Sequence, residues 1–202
     1  MTRIQLIEQA MRYIGARYVF NEKNYPALKG KSGEERRAFV VNHSLLHIMK
    51  SLRKLPHGLP TEYQLKQASN LDIWEKAINE AKELVKEAVI KMFINVVKLA
   101  EEEKVSVLEL AQDVHNRRVF GHEFLANDRF KPINHALIWT MLPIGELAEL
   151  LEDYDHTDKA IEKKELRDLI RLMLNDVFYL ANDIGLTLEE IVRDLSQFMK
   201  SK

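Results

Sequence analysis

An internal repeat constrains this chain more than any other feature. Residues 92–110 (MFINVVKLAEEEKVSVLEL) align with residues 173–191 (MLNDVFYLANDIGLTLEEI), and Met, Val, Leu, Ala and Glu recur at matched positions. Asn42-His43-Ser44-Leu45-Leu46 is echoed by Asn134-His135-Ala136-Leu137-Ile138, and Arg17-Tyr18-Val19-Phe20 by Arg117-Arg118-Val119-Phe120. The three echoes keep the same order in each half, which a duplicated unit explains. A lone supersecondary unit leaves an apolar face open, so two copies are expected to pack against each other.

The repeated unit reads as helical. Ile4, Ile7, Ala10, Met11 and Ile14 form a stripe at three- and four-residue steps. Helices are expected over 39–52, 71–102, from Pro132 to about Glu152, and over 166–184. Ser106 with Glu109 and Thr187 with Glu190 have capping-box spacing, and Gly185 stands where a helix would end. Pro56, Gly58 and Pro60 break the chain, residues 21–35 read as a long solvated loop, and residues 153–157 read as a polar turn. No alternating strand pattern and no Asn-Gly hairpin signal occurs. The expected fold is all-α: two tandem helical-hairpin repeats, 1–104 and 105–202, packed as a pseudo-twofold bundle.

Composition removes several classes of function. The 202 residues carry a net charge of −1, which gives no general attraction to nucleic acid. With no cysteine, disulfides, thiolate metal sites and cysteine nucleophiles are excluded. The first residues hold Glu8 and Gln9 and lack the apolar core of a signal peptide. The apolar stretch 88–100 is interrupted by Lys91, Asn95 and Lys98 and is too short to span a bilayer. A soluble, cytoplasmic protein without membrane partners is the expectation.

The two halves differ chemically. Glu146 and Glu149 lie three apart on one helix, and Glu165 and Asp168 lie three apart on the next. With the hairpin turn centred near position 157, Glu149 opposes Glu165 and Glu146 opposes Asp168 at equal distances from the turn. Four carboxylates facing each other repel unless a divalent cation sits among them. Magnesium takes oxygen ligands and shares its shell with substrate phosphates, and such a site can activate water. With 31 acidic residues in the chain the same pattern also arises on a solvated face, where Lys163, Lys164 and Arg167 neutralise it.

Two segments carry a family resemblance: Ile144-Gly145-Glu146-Leu147-Ala148-Glu149-Leu150, and Asp176-Val177-Phe178-Tyr179-Leu180-Ala181-Asn182 running on through Gly185-Leu186-Thr187-Leu188-Glu189-Glu190. Over about residues 130–195 the chain resembles the MazG-like nucleotide pyrophosphohydrolases of the all-α NTP pyrophosphatase superfamily. That family's signature is Glu-x-x-Glu followed by Glu-x-x-Asp. The resemblance implies that Glu146, Glu149, Glu165 and Asp168 hold magnesium and that a nucleoside triphosphate is cleaved to monophosphate and pyrophosphate. It also implies a monomeric pseudo-dimer or a homodimer, and Lys163, Lys164 or Arg167 would contact phosphates. The register departs from the family. Where its usual Glu-Val-Gly-Glu-Leu-Ala-Glu begins, this chain has Pro143, and counting back from Gly185 its Glu-x-x-Asp falls on Leu169 and Leu172. In the first half the corresponding positions include Ser51, Lys54 and Lys91. Two readings follow: an enzyme whose site has moved one turn toward the connecting loop, or a non-catalytic relative that senses nucleotides or scaffolds other proteins.

The remaining candidates are weaker. His43 and His47 are four apart without a carboxylate at helical spacing to complete a metal site. His43 and His135 recur beside Asn42 and Asn134, which suits a shared structural role. Trp74 and Trp139 suit the core better than base stacking. No Gly-rich phosphate loop is present.

Overall fold

The computed structural model describes residues 3–53, 71–109 and 131–200. Its helices are α1 (Arg3–Arg17), α2 (Gly33–Leu52), α3 (Leu71–Glu102), α4 (Lys131–Thr157), α5 (Lys163–Asp183) and α6 (Leu188–Lys200), with a 3-10 turn at Pro26–Leu28. Among the described residues there is no strand, so the all-α expectation holds. None of these helices is long and apolar enough to cross a membrane.

The bundle is built around α3. From Val85 to Ala100 this helix is buried on nearly all sides, with Val89, Phe93, Val96, Val97, Leu99 and Ala100 sealed from solvent. A helix apolar all round has to be surrounded, and α3 touches α1, α2, α4, α5 and α6. The amphipathic stripes of the other helices close on it: Ile7, Ala10 and Ile14 from α1, Val40, Val41 and Ile48 from α2, and Leu166, Ile170, Leu174 and Val177 from α5. Residues of both expected halves thus share one core. Even Asn95 and Lys98 of α3 are buried, at 5% and 6% exposure.

The echoed segments adopt the same local device. After α3, the Val105 amide donates to the Ala100 carbonyl at 2.8 Å; after α5, the Leu186 amide donates to the Ala181 carbonyl at 2.8 Å. The turning residue is left-handed in both, Lys104 at φ 57° and Gly185 at φ 70°. The next helix is then capped by a hydroxyl, Ser106 Oγ accepting from the Glu109 amide at 3.3 Å and Thr187 Oγ1 from the Glu190 amide at 3.2 Å. At Thr187 the box is complete, because Glu190 Oε2 accepts in return from the Thr187 amide at 2.8 Å. Glycine adopts the left-handed turn freely and lysine does not. Lys104→Gly is therefore expected to stabilise the fold by about 1 kcal/mol and Gly185→Lys to destabilise it by about the same. Urea unfolding of the two variants checks both signs.

Helix ends move relative to the sequence reading. The loop at 21–35 is shorter, because it holds the 3-10 turn and α2 already starts at Gly33. Residues 153–157 are not a turn but the last turn of α4, with Thr157 Oγ1 donating to the Asp153 carbonyl at 2.6 Å. The chain reverses instead between Asp158, at φ 54°, and Glu162. Pro143 lies buried inside α4 without ending it. Residues 110–130, which follow the Ser106 cap, lie outside the described residues, as do Lys54 and the side chains of Trp74, Asn134 and His135.

Candidate functional site

The later turn changes the acidic cluster. With α4 ending at Thr157 and α5 beginning at Lys163, the hairpin is centred near position 160 rather than 157. Glu149 then lies level with position 171 and Glu165 with position 155, a mismatch of six residues. At 1.5 Å per helical residue this is an offset of about 9 Å along the axes. The two pairs still sit on packed helices, α4 against α5. Glu149, Glu165 and Asp168 are exposed and Glu146 is half-buried. Among the described residues no three His, Asp or Glu side chains are grouped to hold a metal ion. Arg167 lies 3.7 Å from Glu109 across exposed surface.

The family's own register is filled with hydrocarbon. Pro143 is buried, Leu169 is 4% exposed and Leu172 packs against the core. In the first half, Ser51 is buried and its hydroxyl donates to the His47 carbonyl at 2.8 Å, while Lys91 pairs with Glu87. Neither register gathers four carboxylates.

Two other features stand out. The first is an apolar surface. Leu46 and Met49 of α2 are 55% and 49% exposed, and Ile138, Trp139, Met141 and Leu142 of α4 are 58%, 39%, 63% and 59% exposed. Helices α2 and α4 pack together. They run antiparallel, because Arg37 and Glu34 at the start of α2 bond the Ile161 carbonyl and amide just beyond the end of α4, each at 3.3 Å. Counted from these bonds, Leu46 and Met49 lie level with about positions 150 and 147 of α4, roughly one to three helical turns from Leu142 and Ile138. Exposed Lys50 and Arg53 border them, and neither forms an ion pair among the described residues.

The second feature surrounds Lys98. Its Nζ donates to the Tyr25 phenol oxygen at 2.8 Å and lies 4.6 Å, 5.2 Å and 5.4 Å from the ring centres of Phe20, Tyr25 and Tyr18. His43 stands edge-on to Phe20 and Tyr25, and His47 follows 4.4 Å further out. Burial pulls the Lys98 ammonium down to about 8. Burial first, then the Lys98 and His47 charges, pull His43 down to about 4, so it is neutral at pH 7. The sequence offered one signal for this cluster: a lysine inside an otherwise apolar run, 96–100. That signal does not reveal the partners, which come from residues 18–25 and from α2.

No protein-family model, curated protein or solved structure matches the chain. What the fold itself defines is an all-α bundle around a central helix.

Proposed function

We propose that this chain is a MazG-like helical bundle without hydrolase chemistry, an interaction scaffold whose apolar face on α2 and α4 receives an acidic amphipathic helix of a partner protein. The observation that carries this reading is the set of six large apolar side chains left 39–63% exposed on two packed helices. Contiguous exposed apolar surface marks interaction sites in soluble proteins. Two antiparallel helices present a groove into which an apolar helix face fits. The bordering Lys50 and Arg53 favour acidic flanks on the partner, and Trp139 and Met141 are side chains of the kind that anchor interfaces.

A shifted, magnesium-dependent nucleoside triphosphate pyrophosphohydrolase is the second reading. What favours it is the position of Glu146, Glu149, Glu165 and Asp168 on two helices that pack together. One experiment separates the two. A designed acidic amphipathic peptide is titrated against Trp139 fluorescence, with Trp74→Phe removing the other indole. Binding is expected, and Met141→Glu is expected to weaken it at least about tenfold, or 1.4 kcal/mol, without changing thermal stability. In parallel, magnesium and a panel of nucleoside triphosphates are expected to give no pyrophosphate. Release abolished by Glu149→Ala would replace the scaffold reading with the hydrolase. A concentration-dependent dimer dissociated by Met141→Glu would assign the face to a second copy.

A further inference from the structure

We infer that Lys98 is a reactive amine site, one that condenses with small apolar aldehydes to form a Schiff base. The inference rests on how the side chain is held. Lys98 sits in the wall of the central helix at 6% exposure and meets three aromatic rings, bonding the hydroxyl of one of them, with no carboxylate partner among the described residues. An ammonium in such a place has lost most of its hydration and gained no counter-charge. Lysines become nucleophiles in surroundings of this kind, desolvated and beside aromatic walls.

The surrounding chain fixes the geometry. Asn24 bonds the Val19 carbonyl at 2.9 Å and takes its own amide bond from Asn21 Oδ1 at 2.9 Å, closing the segment that carries Phe20 and Tyr25. Arg36 Nη2 donates to the Phe20 carbonyl at 2.7 Å and ties this segment to α2. The amine, the phenol and the His43 imidazole are thereby held together before any ligand arrives. The side of the cluster nearest solvent is the histidine side, where His43 is half-buried and His47 exposed.

The chemistry closes on these groups. The neutral Nζ lone pair forms a bond to the carbonyl carbon. The carbonyl oxygen then leaves as water, taking with it the two protons that the amine gives up, and a C=N double bond remains. Because the Tyr25 oxygen accepts the hydrogen bond from Nζ, its own O–H is available to donate to the carbonyl oxygen beside it. The rings offer a neutral apolar wall and no cation for a carboxylate. This selects a plain aldehyde over an α-keto acid.

The test is reductive trapping on the intact protein with propanal and cyanoborohydride, read by peptide mass mapping at several pH values. With its amine drawn down to about 8, Lys98 holds on the order of a hundredfold more free base at pH 7 than an ordinary lysine. Restricted access takes back part of that advantage. Propyl transfer to Lys98 is expected at least about tenfold faster than the average of the other lysines, rising from pH 6, half-maximal near pH 8 and levelling above it. Surface lysines are expected to keep rising toward pH 10. Tyr25→Phe is expected to slow labelling of Lys98 alone. If Lys98 is labelled no faster than its neighbours, or only after the protein unfolds, the cage is a structural burial of the ammonium and the inference fails.

Discussion

Replacing Arg37 by methionine is expected to cost about 3 kcal/mol of stability at neutral pH. Arg37 is 15% exposed and its Nε donates to both Glu103 oxygens at 3.1 Å; the Glu103 side chain is 7% exposed. The same guanidinium pairs with Glu34 and donates to the Ile161 carbonyl at 3.3 Å. One side chain therefore joins α2, the end of α3 and the α4–α5 turn. Methionine keeps the hydrocarbon stem and removes the fork, leaving the Glu103 carboxylate buried without its cation. Breaking a buried pair from one side costs far more than losing an exposed pair, for which the usual figure is below about 1 kcal/mol. Adding Glu103→Gln to the methionine variant should recover part of the loss, since a neutral amide carries a smaller desolvation penalty. Guanidinium unfolding of the single and double variants measures both. A loss under about 1 kcal/mol for Arg37→Met would place the network among ordinary surface pairs.

Asp176→Asn is expected to stabilise the protein, and only above acidic pH. One carboxylate oxygen of Asp176 is buried in α5 without a hydrogen-bond partner among the described residues. Burial pushes this carboxyl up from 3.8 to about 7. The folded state thus holds the proton more tightly than the unfolded chain does. The linked stability is complete below about pH 4, falls as pH rises toward about 7, and is flat beyond. A shift of about three units corresponds to about 4 kcal/mol, and residual solvent contact reduces the expected gain of the asparagine variant at pH 8 to about 2 kcal/mol. At pH 4 the variant and the parent should unfold alike. The repeat already contains this substitution: the position matching Asp176 is Asn95, whose Nδ2 donates to the Lys91 carbonyl at 2.7 Å. A stability difference that does not change between pH 4 and pH 8 would show that Asp176 is charged and solvated in the fold.

Much of the local structure was legible because it is written in local chemistry. The spacing of Ile7, Ala10 and Ile14 gave α1, and the caps at Ser106 and Thr187 and the left-handed Gly185 are set by residues within one turn of each other. The candidate site was less legible, since it depended on the register between two helices. An error of three residues in the turn, from 157 to about 160, doubles to six between opposed positions. That offsets Glu149 from Glu165, and Glu146 from Asp168, by about 9 Å along the helix axes. Residues 153–157 are polar and resemble a turn, yet the backbone there continues the helix, and the reversal falls where Asp158 takes a left-handed conformation.

The amino-acid sequence alone determined that this chain is helical, that its segments recur, and where α3, α5 and α6 begin or end to within a few residues. Those properties depend on periodicity, caps and turn residues, which act over one or two helical turns. Only the tertiary structure decided that α3 is the central helix, that Lys98 lies among Tyr18, Phe20 and Tyr25, that Arg37 reaches Glu103, and that Ile138, Trp139, Met141 and Leu142 remain uncovered. Each of these pairs or faces residues far apart in the chain. Burial depends on what the rest of the molecule places alongside a helix, and the helix's own periodicity does not contain that information.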